Sequence, residues 1–171
     1  MAKRSDFKRV ERDYYPTPET AVIPLIAHLN GTTFIEPCAG DYRLVQHIQR
    51  LSQLRCSGAY DIEPQSDFVT KADIFDTEFA DVEMFITNPP WDRKLLHPII
   101  DKLATIAPTW LLFDADWAHT KQSTEYIKYC KKIVSVGRVK WIEDSKMTGK
   151  DNCAWYLFDK THTGATEFVG R

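Results

Sequence analysis

Apolar residues recur along this chain in two periods. Short apolar or β-branched runs read as strands, and stretches with apolar residues three or four apart read as helices. Thr32–Glu36, Cys56–Asp61, Phe68–Asp73, Val82–Thr87, Trp110–Phe113 and Cys153–Phe158 are of the first kind. Ile133–Val136 and Val139–Ile142 flank Gly137-Arg138. The first helix opens at Tyr14-Tyr15-Pro16-Thr17-Pro18-Glu19 and runs to about Leu29, where Asn30-Gly31 stops it. Thr17 is its expected N-cap, Pro18 suits the first turn and Glu19 the positive end of the dipole, while Pro24 predicts a kink. Leu44, Val45, Ile48 and Leu51 mark a second helix, and Ile99, Ile100, Leu103 and Ile106 mark a third over Leu95 to about Ala107. Trp117 to Cys130 is helical in pattern.

Strands that alternate with helices predict an α/β fold, a mostly parallel sheet with helices on both faces. The two closing strands have only the polar stretch Glu143–Asp151 between them, so they predict an antiparallel hairpin. Residues 1–13 read as a flexible basic arm, 14–160 as a single domain and 161–171 as a tail, with no separate target-recognition domain.

Composition adds limits. Hydrophobic content of 43% and charged content of 27% are ordinary for a globular chain. No apolar run approaches the roughly 20 residues of a membrane span, and no apolar segment follows the basic start as in a secretory signal. Cys38, Cys56, Cys130 and Cys153 show no C-x-x-C spacing, which argues for reduced thiols in a cytoplasmic setting and against a zinc site. Net charge is −2, but its distribution is uneven. Lys3, Arg4, Lys8, Arg9 and Arg12 crowd one end, and seven lysines and arginines lie in residues 128–150. Residues 61–83 hold eight acids against Lys71 alone. The basic ends are either solvated faces or, brought together, a patch for phosphates.

The chemistry gathers at strand ends. Glu36, Asp61, Asp73 and Asn88 each close a predicted strand. In a parallel sheet that edge is where ligands bind, and carboxylates there suit hydroxyls and a positive centre rather than phosphate. Asn88-Pro89-Pro90-Trp91 ends its strand because neither proline can donate to a ladder. Alone the tetrapeptide reads equally as a strand-ending turn with a packed Trp. It can also offer an amide, a bare carbonyl and a flat ring to an amine on a planar ring.

Thr17-Pro18, Glu36-Pro37-Cys38-Ala39-Gly40, Asp61-Ile62-Glu63, Asp73-Ile74 and Asn88-Pro89-Pro90-Trp91, in that order, resemble the class I S-adenosylmethionine-dependent methyltransferases. More narrowly they resemble the DNA adenine-N6 enzymes with the cofactor motifs before the catalytic one. Gly137–Trp141 followed by Ala154–Phe158 is similar to that group's closing hairpin. The resemblance implies a Rossmann-like fold with a seven-stranded sheet, and S-adenosyl-L-methionine as cofactor with no metal. It implies that Pro16, Thr17 and Pro18 hold the methionine end, and that Glu36, Pro37, Cys38, Ala39 and Gly40 lie against methionine and ribose. Asp61 then takes the ribose hydroxyls, Ile62 and Ile74 pack on the adenine ring, and Asp73 accepts its amine. Asn88 and Pro89 take the two N–H bonds of the target amine, with Pro90 shaping the turn and Trp91 stacking on the base. Tyr42 departs from the group's pattern, which has a second glycine there; its side chain must point away from the cofactor or alter the pocket, or else Asp41 and Tyr42 contact the cofactor themselves.

The expected partner is nucleic acid, DNA before RNA, with the adenine N6 amine as acceptor. Lys146 and Lys150, in Lys146-Met147-Thr148-Gly149-Lys150, suit phosphate contact, and Asp114–His119 is a further recognition candidate. RNA adenine-N6 methylation, glutamine-N5 methylation of protein and a catalytically silent subunit remain open. The compact build suits a phage or mobile-element protein, and the oligomeric state is open.

Overall fold

Alternate residues of each strand go to opposite faces of one sheet, and this splits the core in two. In the computed structural model, which describes residues 14–171, the strands are β1 (Thr33–Glu36), β2 (Arg55–Asp61), β3 (Thr70–Lys71), β4 (Phe85–Thr87), β5 (Thr109–Asp114), β6 (Cys130–Arg138), β7 (Asn152–Phe158) and β8 (Glu167–Val169). The helices are α1 (Glu19–Ile26), α2 (Arg43–Leu51), α3 (Arg93–Ile106) and the short α4 (Thr124–Ile127). Phe34, Ile86, Trp110, Leu112 and Trp155 face one core with Ala21, Val22 and Leu25 of α1 and Leu44, Val45 and Ile48 of α2. Their neighbours Ile35, Phe85, Leu111, Phe113, Ala154 and Tyr156 face the other, with Leu96, Ile99, Ile100 and Leu103 of α3. Helices therefore cover both faces, as the pattern predicts.

The sheet order is β3-β2-β1-β4-β5-β7-β6-β8. β1 to β5 run parallel, and β7 is antiparallel to both β5 and β6, the expected hairpin. The chain moves outward from β1 to β3 and then crosses to β4, so the topological switch lies between β1 and β4. A crevice opens at such a point, because the connections on either side leave in opposite directions.

Several expectations are corrected. The sheet has eight strands, not seven: Glu167–Val169, in the segment read as a tail, pairs parallel with β6. Lys132–Glu167 (3.2 Å) and the Thr166 hydroxyl on the Cys130 carbonyl (2.8 Å) fasten it. A three-residue strand is too short to show a period. Trp117–Cys130 is not one helix. It is two 3-10 turns (Ala115–His119 and Lys121–Ser123), the single turn α4 and the first residue of β6. Trp117 is buried against Phe113, Tyr156 and Phe158, and the Ser123 hydroxyl bonds the Ala118 and Thr120 carbonyls (3.1 and 2.7 Å). Those contacts compete with the helical ladder. Thr17 does not cap α1; Pro18 holds that position without a side-chain bond. Val139–Ile142 lies outside β6, in the connection to β7. The basic arm over residues 1–13 lies outside the described residues.

Candidate active site

The crevice at the switch point is a cavity of about 370 Å³. Glu36, Asp61, Asp73 and Asn88 all line it, although they close or follow four different strands. Five carboxylates face it (Glu36, Asp41, Asp61, Glu63 and Asp73), and among the described residues no lysine, arginine or histidine does. The cavity is therefore electronegative and suited to a ligand that carries positive charge.

Glu36 is the most unusual of the five. It is 1% exposed, and its Oε1 accepts only a long bond from the Thr87 hydroxyl (3.4 Å). Oε2 has no hydrogen-bond partner among the described residues. Burial pushes its carboxyl well above the usual range; the Thr87 hydroxyl opposes this, and Asp61 and Asp41 add to it. A buried carboxyl with a free oxygen on a cavity wall is costly unless a ligand donates to it.

The turn after β1 is shaped by Gly40. Its φ is +50°, and a Cβ there would sit 2.6 Å from the Tyr14 ring, so both the backbone and the contact require glycine. Its N–H donates to Asp61 Oδ2 (2.8 Å), while Asp61 Oδ1 accepts from the Glu63 N–H (2.8 Å). Both Asp61 oxygens are thus fixed by backbone and keep further lone pairs for hydroxyls. Asp73 is oriented in the same way, with Oδ1 accepting from the Phe75 N–H (2.8 Å). Desolvation and the Asp61 carboxylate push the Cys38 thiol well above its ordinary range, so it stays protonated and is a poor nucleophile.

Tyr42 follows with φ 72°, a left-handed conformation that side chains adopt at a cost. Its ring leans on Phe68 (5.5 Å between centroids) and does not line the cavity. The side chain in place of the second glycine points away from the cavity.

Asn88 sits just beyond β4, and its neighbours dictate how its amide lies. Nδ2 donates to the Tyr15 carbonyl (3.3 Å) and to the Thr17 hydroxyl (3.1 Å), and Oδ1 accepts from Trp91 Nε1 (3.3 Å). A carbonyl can only accept and an indole N–H can only donate, so the amide has one consistent orientation. The buried Thr17, not needed as a helix cap, is used here instead. Trp91 and Pro89 do not line the cavity. Trp91 is half-buried between the two cores and meets Trp141 edge-on (5.7 Å, 83°), and Trp141 in turn lies 6.3 Å from Tyr15.

Of the residues implied to hold the cofactor, Pro16, Thr17, Glu36, Pro37, Cys38, Ala39, Gly40, Asp61, Ile62, Asp73, Ile74 and Asn88 come together around the cavity. Pro18, the N-cap of α1, does not. Lys146 and Lys150 are exposed on the β6–β7 connection, away from the cavity wall. Asp114–His119 is a packed 3-10 turn, held by the buried Trp117 and by Asp114 Oδ1 on the Asp116 N–H (2.9 Å). Tyr14, Tyr15, Leu95 and Ile99 line the cavity without having been singled out from sequence. The first two adjoin Pro16-Thr17, and the last two are one turn apart at the start of α3, so adjacency and helical spacing could have found them.

No family model and no curated protein matches the sequence. Solved structures are similar to it. A Pyrococcus horikoshii protein assigned as an RNA methyltransferase has 18% identity over 94% of each chain, with a TM-score of 0.60. A dimethyladenosine transferase from Plasmodium falciparum has 14% identity over 85% of this chain and 62% of its own (TM-score 0.56). The M protein of the type I restriction enzyme EcoKI has 10% identity over 86% of this chain, which spans 44% of that protein's length (TM-score 0.54). The chain has the Rossmann-like α/β fold of these methyltransferases.

Proposed function

We propose that this chain is an S-adenosyl-L-methionine-dependent methyltransferase acting on the N6 amine of adenine in nucleic acid, with DNA as the favoured substrate. The carrying observation is that Asn88, with its amide orientation fixed, shares one electronegative cavity with Glu36, Asp61 and Asp73. The residues fit the cofactor: the free Glu36 oxygen suits its ammonium group, Asp61 its ribose hydroxyls and Asp73 its adenine amine, while Ile62 and Ile74 offer apolar contact to the ring. When bound, the cofactor supplies an electrophilic sulfonium methyl group.

The chain's own residues position the acceptor. An amine conjugated to a ring is a poor nucleophile because its lone pair is delocalised. Asn88 Oδ1 and the Pro89 carbonyl accept its two N–H bonds and favour a tetrahedral nitrogen, which frees that lone pair. Trp91 supplies the aromatic ring on which the base stacks, and Pro90 lines the cavity beside it. In a duplex the base leaves the stack first, at a cost of a few kcal/mol. Lys146 and Lys150 meet phosphates.

RNA is the second reading, favoured by the likeness to the Pyrococcus horikoshii protein over nearly the whole of both chains. Transfer of a radiolabelled methyl group to DNA, RNA and protein, followed by nucleoside analysis of the product, tests both. Labelled N6-methyladenine from DNA is the expected result. Label in protein alone, or in no acceptor despite intact cofactor binding, overturns the reading.

A further inference from the structure

The connection between β6 and β7 covers residues 139–151, far more than a hairpin needs. Its neck closes where the Gly149 N–H donates to the Val139 carbonyl (2.8 Å), leaving residues 140–148 as a lobe. The lobe has internal order: the Ser145 N–H donates to the Ile142 carbonyl (3.1 Å) and the Met147 N–H to the Ser145 hydroxyl (3.1 Å). Its root is fixed beside the acceptor residues, because Trp141 packs on Trp91 and Tyr15, two of the three residues that bond Asn88. An ion pair from Arg43 to Glu143 (3.0 Å) ties it to the start of α2.

The lobe's surface combines two features. Ile142 is 52% exposed and Met147 53% exposed, although neither lines the cavity. Lys140, Lys146 and Lys150 are exposed around them, and one of the two acids in the stretch 140–150, Glu143, is the one paired to Arg43. A lobe of residues 140–148 is small beside the roughly 20–30 residues a side of a standard protein interface. Large apolar side chains flanked by cations fit a stacked, phosphate-edged duplex instead, since apolar wedges between base steps offset the cost of unstacking.

We propose that residues 140–148 form a nucleic-acid wedge: Met147 and Ile142 enter the base stack beside the target and occupy the space it leaves, while Lys140, Lys146 and Lys150 hold the flanking phosphates. The inference rests on the proposed nucleic-acid function, in which the base must leave the duplex to reach Asn88. Unbranched Met147 adapts to irregular gaps, which suits a wedge that must fit different neighbouring bases. The lysines add a salt-dependent, sequence-independent component.

The test compares methyl transfer by the full chain to native and to denatured, single-stranded bacterial genomic DNA with radiolabelled cofactor. The Ile142→Ala/Met147→Ala double variant is expected to lower the duplex-to-single-strand rate ratio about tenfold or more, because the lost wedge acts only where a stack must be opened. Its thermal midpoint stays within a few degrees of the parent. Phe168→Ala, which removes an exposed ring on β8, leaves the ratio unchanged. A ratio within about twofold of the parent in the double variant overturns the wedge, as does a parent that labels only single strands or RNA. A parent that labels no nucleic acid fails the underlying functional reading first, and the two failures are thereby separate.

Discussion

Glu36 ends β1 and Asn88 follows the neighbouring β4, yet their side chains are satisfied to opposite degrees. Glu36 is buried with one oxygen unpartnered, and its carboxyl is destabilised in the charged form. Asn88 has its amide nitrogen on Tyr15 and Thr17 and its oxygen on Trp91. Under the proposed function, the cofactor side is left open for a donor, while the acceptor side is closed upon itself. The Trp91–Asn88 bond is long at 3.3 Å, so a target amine can replace it with little loss. One half of the cavity gains bonds when it binds, and the other exchanges them.

The strongest way to sharpen this contrast is Asn88→Ala. Transfer should fall by about 10²-fold or more, as for loss of one preorganised polar group at a reacting centre, while cofactor affinity changes only a few-fold. Single-turnover rates and calorimetric titration with S-adenosyl-L-methionine read the two sides separately, and near-parental turnover would remove Asn88 from the catalytic role.

Glu36→Gln acts on the other side and should produce two opposite effects. Cofactor affinity falls roughly ten- to a hundredfold with loss of a charge-assisted bond. Stability without ligand rises at neutral pH. The sign follows from the raised folded pKa: the native state holds its proton while the unfolded state has released it, so stability falls as pH rises from the usual 4.5 toward the folded value. Thermal midpoints of the two proteins should agree near pH 4 and diverge in favour of Gln at pH 7. A parent that is more stable than the variant at pH 7 would mean that Glu36 is satisfied within the fold.

Trp91→Ala should raise the KM for nucleic acid about tenfold, in keeping with the loss of a base-stacking ring, with cofactor affinity nearly unchanged. Equal losses on both sides would assign Trp91 to packing between the two cores.

Smaller effects concern the frame that holds the halves together. Tyr42→Gly removes left-handed strain of about 1 kcal/mol and also the contact with Phe68, so stability should move by less than about 1 kcal/mol. Cofactor affinity should not change, because the ring lies outside the cavity; a large gain in affinity would show that Tyr42 obstructs it. Glu83, just ahead of β4, accepts from the N–H and hydroxyl groups of Thr32 and Thr33 at the start of β1. These bonds, led by the Thr33 N–H, hold its carboxyl down at about 2. A depressed folded pKa gives stability that is present above about 4.5 and lost as pH falls toward 2. The stability gap between parent and Glu83→Gln should therefore close over that interval in acid-unfolding curves.

Much of the fold was legible because uninterrupted apolar runs in strands must bury both faces of a sheet. Phe34/Ile35 and Trp110–Phe113 carry that demand in their residue types. The strand-end acids were legible because a chain that ends a strand with a carboxylate or amide brings it to the same edge every time. What pattern missed depended on competition with distant groups. Trp117–Cys130 has helical spacing, yet the packing of Trp117 on three rings and the Ser123 side-chain bonds break it into turns. β8 exists only because β6 offers an edge beside which Glu167 meets Lys132.

The sequence by itself determined the order of strands and helices from α1 to β5, the carboxylates at strand ends and the N-P-P-W break after β4, since each follows from local spacing and backbone chemistry. Only the tertiary structure decided how those groups are satisfied. Thr17, a plausible cap by sequence, orients Asn88; Tyr42 turns away from the cavity; Glu36 keeps a free oxygen while Asn88 keeps none. Each of these outcomes is set by which partner lies within hydrogen-bond reach, and residues 71 or 73 positions apart become neighbours only when the sheet closes.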